Sequence, residues 1–135
     1  MILVDTCVLI DITEGDANWA DWSSRQLAAW STRGAIVITP MVFAEWSAMF
    51  SHVSEVDSAV SRLDLTWQDV PKPALFLAAQ AHKSYRRRGG AKAMVLPDFL
   101  IGAHAAVTRI PILTRDRRRF ETYFNGLEIV SPDRH

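Results

Sequence analysis

The sequence of 135 residues has one cysteine, no long hydrophobic run and no net charge. Because Cys7 is alone, no disulfide can form within the chain, and a reducing compartment such as the cytoplasm is the expected location. No apolar run approaches the roughly 20 residues that cross a bilayer, so no membrane-spanning segment is predicted. The first ten residues contain Asp5 and no basic residue, and they do not resemble a signal peptide. With 49% hydrophobic residues, the chain is expected to form one globular domain over residues 1–135.

The absence of net charge hides a difference between the two parts of the sequence. The first 65 residues contain nine acidic and three basic residues, a net charge of −6. The remainder contains six acidic and twelve basic residues, a net charge of +6, with basic clusters at 83–88 and 115–119. Such clusters can be solvated helix surfaces whose charges complement the helix dipole. They can also bind phosphate backbones, and the candidate substrate-binding residues are then Arg86, Arg87 and Arg115.

The apolar runs of the sequence predict strands that alternate with helices. The predicted strands are 1–5, 35–38, 66–70, 110–114 and 127–130. The predicted helices are 6–12, 18–33, 40–51, 54–65, 73–88, 97–108 and 117–124, with a loop over 89–96. Gly34 is expected to cap the second helix, and Thr39 with Pro40 to open the third. This order predicts an α/β fold with a parallel sheet and helices on both of its faces.

Two of the predicted strands run directly into a hydroxyl residue and an aspartate. The first ends at Asp5-Thr6, and the fourth ends at Thr114-Arg115-Asp116. An acid that follows a buried parallel strand lies at the carboxyl edge of the sheet, where open α/β folds bind ligands. If strands 1 and 4 are neighbours, Asp5 and Asp116 face the same crevice, at the point where the strand order reverses. The sequence therefore predicts a site at this edge.

Two further acids are placed at or near the starts of predicted helices. Asp98 lies in the first turn of its helix, and Glu45 lies in the second turn of the helix that follows strand 2. Hard divalent cations such as Mg²⁺ and Mn²⁺ take carboxylate and water oxygens as ligands. Clustered carboxylates repel one another, and a bound cation relieves this repulsion. Together the acids therefore favour a metal-binding pocket.

Each acid also has a structural interpretation. Asp5 and Asp116 could be N-caps of the helices that follow them, and Asp98 could favour the positive end of its helix. Glu45 is flanked by aromatic and aliphatic residues in a mostly apolar helix, where an unpaired buried acid would be expensive. Taken singly, three of the four fit a capping role. Taken jointly, they favour the metal site.

Three segments and one isolated acid carry a pattern that extends over most of the sequence. They are Val4-Asp5-Thr6-Cys7-Val8-Leu9-Ile10-Asp11, Glu45, residues 96–105 around Pro97-Asp98, and Leu113-Thr114-Arg115-Asp116. Together they resemble the PIN-domain ribonucleases, in particular the VapC-type toxins of toxin–antitoxin modules. The resemblance implies a PIN-like three-layer fold with a five-stranded parallel sheet flanked by helices. It also implies an endoribonuclease that depends on Mg²⁺ or Mn²⁺, a VapB-type antitoxin as partner, and a homodimer. Cys7 departs mildly from the family pattern, which often has a small polar residue there.

The resemblance also assigns roles to individual positions. The family's acidic catalytic positions fall on Asp5, Glu45, Asp98 and Asp116. We expect Asp5, Asp98 and Asp116 to hold the metal, directly or through water, and Glu45 to be a ligand or to orient the attacking water. The family's hydroxyl positions fall on Thr6 and Thr114, which could orient carboxylates or waters. Packing of a β-branched residue at a strand end is an alternative role for both.

Two other functions are compatible with part of the pattern. A phosphatase of the haloacid-dehalogenase type also has an aspartate after strand 1 and needs Mg²⁺. It would require a second aspartate two residues later, where this chain has Cys7. A non-catalytic RNA-binding PIN domain would have lost its acids, and all four are present. The sequence therefore favours the ribonuclease.

Overall fold

The computed structural model describes residues 1–90 and 94–132. The strands in these residues are β1 (Ile2–Val4), β2 (Ile36–Ile38), β3 (Leu65–Trp67), β4 (Ile112–Leu113) and β5 (Ile129–Val130). The helices are α1 (Thr6–Glu14), α2 (Ala20–Ser31), α3 (Pro40–Ser47), α4 (Val53–Arg62), α5 (Lys72–Arg87), α6 (Leu96–Thr108) and α7 (Arg118–Glu121). Every predicted strand and helix is present, with shorter bounds for most of them.

The strands form one parallel sheet in the order β3-β2-β1-β4-β5. β1 pairs with β4 in the register Leu3 to Ile112 and Val4 to Leu113. The chain moves outward from β1 through β2 to β3 and then returns to β4 on the other side. The strand order therefore reverses between β1 and β4, which are neighbours in the sheet, and their carboxyl ends lie side by side. The predicted fold class is confirmed.

The sheet and α6 supply most of the buried core. β1, β2 and β4 are completely buried, as expected for short aliphatic strands in a parallel sheet. Most of α6 is buried as well, and Phe99 and Ile101 are fully enclosed. Gly102 lets this helix pack closely against Phe124, which follows α7, because a Cβ atom at position 102 would lie 2.4 Å from the Phe124 ring. This packing fixes α6 against the segment that carries α7.

Some predicted boundaries differ from the structure. The second helix ends at Ser31 with Thr32 as its cap, so the prediction of Gly34 as the cap is wrong. Gly34 instead lies where an added Cβ would be 3.1 Å from the Met1 backbone nitrogen. The predicted loop 89–96 falls in part on residues 91–93, which lie outside the described residues, and α6 already begins at Leu96. None of the helices in the described ranges has the length and hydrophobicity to span a membrane.

Candidate active site

Asp5 lies at the carboxyl end of β1 and is fully buried. It is the N-cap of α1, since its carboxylate accepts a hydrogen bond from the Thr6 backbone nitrogen at 2.8 Å. The same carboxylate accepts hydrogen bonds from the Thr114 hydroxyl at 2.7 Å and from the Cys7 thiol at 3.3 Å. The capping role and the pocket role are therefore filled by one side chain.

Thr114 and Asp116 follow β4, next to Asp5. Because Leu113 pairs with Val4, the residues that follow the two strands meet at the sheet edge. The Thr114 hydroxyl donates to Asp5 and accepts a hydrogen bond from the Asp116 backbone nitrogen at 3.0 Å. The Asp116 side chain is exposed and accepts a hydrogen bond from the Arg118 backbone nitrogen at 3.2 Å. Asp116 is therefore exposed beside Thr114, where it caps the turn that leads into α7.

Asp98 is buried at the start of α6 and uses its two carboxylate oxygens differently. Oδ2 accepts a hydrogen bond from the Val95 backbone nitrogen at 3.1 Å, which stabilises the first turn of the helix. Oδ1 lies 3.0 Å from the Arg119 Nη2 atom. As with Asp5, the capping role leaves part of the carboxylate available to the pocket.

Glu45 approaches the pocket from α3, which begins at Pro40 with Thr39 as its N-cap, as predicted. Its Oε1 atom accepts a hydrogen bond from the Thr6 hydroxyl at 2.7 Å. Burial raises the pKa of Glu45, the Thr6 hydrogen bond opposes this, and the negative charges of Asp5 and Asp98 add to the rise. An acid with a raised pKa is better suited to exchange protons near neutral pH.

Arg119 brings the two buried aspartates together, and the sequence patterns gave no indication of this role. A single nitrogen, Nη2, lies 3.0 Å from Asp5 Oδ2, 3.1 Å from Asp5 Oδ1 and 3.0 Å from Asp98 Oδ1. Burial favours the neutral form of this guanidinium, yet the carboxylates of Asp5, Asp98 and Asp116 raise the pKa of Arg119. Arg119 therefore carries the positive charge of the pocket.

Cys7 was also missed as a residue of the site. Its Sγ atom lies 3.8 Å from the Thr114 hydroxyl, in addition to its contact with Asp5. Burial, together with the charge of Asp5, raises the pKa of Cys7 to about 12. The thiol therefore stays protonated at neutral pH and acts as a weak donor to Asp5, not as a nucleophile.

The donor set fits a hard divalent cation. Within residues 1–90 and 94–132, no three His, Cys, Asp or Glu side chains are close enough together to bind one ion jointly. However, Asp5 and Asp98 already direct oxygens at one positively charged nitrogen, so these oxygens cannot be farther apart than twice 3.0 Å. Mg²⁺ is commonly held by one or two carboxylates, with waters completing its shell. Asp5 and Asp98 could provide such a pair.

The three candidate substrate-binding arginines differ in their surroundings. Arg86 and Arg87 are exposed in the last turn of α5. Arg86 lines an open groove of about 530 Å³ with Val95 and Leu96, at the start of the helix that carries Asp98. Arg115 donates from Nε to the buried Asp11 carboxylate at 2.8 Å, and its guanidinium lies over the Trp19 ring. It therefore has a structural partner, and its side chain is 34% exposed.

Comparison with known proteins agrees with this α/β architecture. Residues 2–125 match the PIN domain. VapBC2 from Rickettsia felis, solved bound to a promoter DNA fragment, has a TM-score of 0.73 and 19% identity, covering 98% of this chain and 100% of that chain. A toxin–antitoxin complex from Klebsiella pneumoniae has a TM-score of 0.71 and 21% sequence identity, and the match covers 98% of each chain. DNA-bound VapBC from Salmonella typhimurium has a TM-score of 0.69 and 21% sequence identity, and the match covers 96% of each chain. No curated protein matches the sequence.

The fold and the acids at its switch point define an α/β protein with a carboxylate-lined site. The chain belongs to the PIN-domain family, as its sequence predicted. PIN domains are nucleases, and this class argues against the phosphatase alternative. At these identities the VapBC structures show that the fold is shared.

Proposed function

We propose that this chain is an endoribonuclease that depends on Mg²⁺ or Mn²⁺ and acts in the cytoplasm as the toxin of a toxin–antitoxin module. The observation that carries the proposal is the convergence of the Asp5 and Asp98 carboxylates on one cationic nitrogen at the sheet's switch point. Membership of a nuclease family and the fold shared with VapBC complexes support it.

The four acids would divide the work of phosphodiester hydrolysis. A divalent cation at such a site lowers the pKa of a bound water and neutralises the non-bridging phosphate oxygens. Asp5 and Asp98 would hold the ion directly, and the exposed Asp116 would hold it through water. Glu45, with its raised pKa, would accept the proton of the attacking water. Thr6 would fix the orientation of Glu45 through their 2.7 Å hydrogen bond.

Thr114 and the basic residues would have supporting roles. The Thr114 hydroxyl would keep the Asp5 carboxylate in one orientation, which a ligand to a metal requires. Arg86 and Arg87 would contact phosphates beyond the cleaved bond, since both are exposed and Arg86 lies near the start of α6. Arg115 would contribute with the exposed part of its side chain while it remains paired with Asp11.

The cleavage assay uses purified protein and a long RNA, with Mg²⁺, with Mn²⁺ and with a chelator. Asp98→Asn is the main variant, because asparagine keeps the shape of the side chain and the hydrogen bond to Val95. Asp57→Asn, on the exposed surface of α4, is the matched control. We expect cleavage with metal by the wild type and by Asp57→Asn, and none by Asp98→Asn. Full activity of Asp98→Asn, or undiminished activity in the chelator, would refute the proposal.

The proposed partners are a VapB-type antitoxin and a second copy of the chain. We expect a small reading frame for the antitoxin next to this gene, and its co-expression should yield a complex that co-purifies and does not cleave RNA. Light scattering on the toxin alone should give twice the mass of the 15.2 kDa chain. A neighbouring product that neither binds nor inhibits would refute the antitoxin assignment, and a monomer would refute the dimer.

A further inference from the structure

Arg119 occupies the place between the carboxylates that a metal ion would need. The oxygens of Asp5 and Asp98 that point into the pocket are those in contact with its Nη2 atom. The other contacts of Asp5 come from Thr6, Cys7 and Thr114. A guanidinium nitrogen and a divalent ion use the same carboxylate lone pairs. Arg119 and a metal ion therefore cannot bind these carboxylate oxygens at the same time.

The charge balance of the pocket explains why a cation is present. Asp5 is fully buried and Asp98 nearly so, and two buried carboxylates this close repel each other. The side chain of Arg119 is 24% exposed and supplies the opposite charge. A buried ion pair that loses one partner leaves an uncompensated charge, which is strongly destabilising. The aspartates therefore need either Arg119 or another cation.

Arg119 is held in a way that permits exchange. Its three contacts with the carboxylates are all made through one nitrogen, without the two-nitrogen fork that makes arginine–carboxylate pairs strong. Its Nε atom is buried and has no hydrogen-bond partner among the described residues. α7 has only four residues, and a long side chain on such a short helix can turn outward. There the Nε atom would regain hydrogen bonds to water.

We propose that Arg119 is the resident counter-cation of the site, that it exchanges with the divalent metal, and that it thereby sets the metal affinity. This inference rests on the metal site of the proposed function. Metal binds only the fraction of molecules in which Arg119 has left the carboxylates, so the apparent dissociation constant is the intrinsic one divided by that fraction. Removing the charge of Arg119 should therefore tighten metal binding.

The test is calorimetric titration of Mn²⁺ into metal-stripped protein, and it needs no RNA cleavage. Arg119→Gln keeps a polar side chain but removes the charge, and it should bind Mn²⁺ about tenfold or more tightly than the wild type. Arg119→Lys should stay within about threefold of the wild type, because one ammonium nitrogen can replace one guanidinium nitrogen. Arg62→Gln, exposed at the end of α4, removes the same charge elsewhere and should match the wild type.

Thermal unfolding provides the second measurement. Without metal, Arg119→Gln should melt below the wild type, because the carboxylates have lost their counter-charge. Saturating Mn²⁺ should then raise its melting temperature by more than that of the wild type. Circular dichroism of each variant checks that it is folded.

The outcomes separate this inference from the proposed function. If wild type and Arg119→Gln bind Mn²⁺ equally, or if the variant binds more weakly, the exchange is wrong and the metal site stands. If neither binds Mn²⁺ at millimolar concentration, both the exchange and the metal-dependent function are wrong. If Arg119→Gln alone binds, the competition is confirmed.

Discussion

Replacing Thr114 by valine tests whether its hydroxyl supports the buried Asp5 carboxylate. Valine keeps the β-branched shape, so the change removes a hydroxyl and little packing. The hydroxyl lies 2.7 Å from Asp5 Oδ2 and is completely buried, so no water can replace it without repacking. Hydrogen bonds to charged groups contribute about 1.5–3 kcal/mol. Asp5 keeps its contacts with Thr6 and Arg119, whereas the Asp116 backbone nitrogen also loses its acceptor. We therefore expect a loss of about 2 kcal/mol in the free energy of unfolding.

Urea denaturation in metal-free buffer measures this loss. With a slope of about 1–3 kcal/mol per molar urea, a loss of about 2 kcal/mol moves the midpoint down by roughly 1 M. Thr108→Val is the control. The half-buried Thr108 hydroxyl also donates a hydrogen bond of 2.7 Å, but its acceptor is the neutral backbone carbonyl of His104. That control should lose less than about 1 kcal/mol. If Thr114→Val is no less stable than Thr108→Val, the hydroxyl does not support the carboxylate.

Three further results are expected. Because burial raises the pKa of Glu45, the folded protein loses stability as the pH rises above 4.5, the ordinary pKa of a glutamate. Glu45→Gln cannot titrate, so its melting temperature should rise relative to that of the wild type as the pH rises above 4.5. A difference in melting temperature that does not change with pH would contradict this. Gly102→Ala should lower the free energy of unfolding by about 1–3 kcal/mol, measured by urea denaturation, since its Cβ would lie 2.4 Å from the Phe124 ring. An unchanged urea midpoint would show that the ring moves away without cost. Mn²⁺ at about 100 times its dissociation constant should raise the free energy of unfolding of the wild type by about 2.7 kcal/mol and should not change that of Asp98→Asn. Equal stabilisation of both proteins would show that the ion binds away from Asp98.

The fold was largely predictable because its strands are short aliphatic runs separated by helices with clear starts. Thr39 followed by Pro40 predicted the beginning of α3, and the alternation of elements predicted a parallel sheet. The prediction for Gly34 failed because glycine can also be placed by close packing against another segment, in this case the Met1 backbone. Glycine alone does not distinguish these two causes.

The candidate site was predictable where a side chain follows a strand or opens a helix. Asp5, Asp98 and Asp116 had such positions, and each proved to accept a backbone hydrogen bond as well. The capping and pocket interpretations were therefore not exclusive. Arg119 could not be predicted, because it lies in a run of arginines and only the turn after β4 decides which of them points into the pocket.

The position of β1 in the middle of the sheet has a consequence for the order of folding. Glu45 contacts Thr6 across 39 residues, whereas Thr114 and Arg119 contact Asp5 across 109 and 114 residues. Closing the longer loops costs more chain entropy and is slower, so the half of the sheet made by β1, β2 and β3 should form before β4 and β5 are added. With only that half in place, the Asp5 carboxylate would lack its Thr114 and Arg119 partners and would be open to water. The last step of folding would therefore both complete the hydrophobic core and bring the acids of the candidate site together.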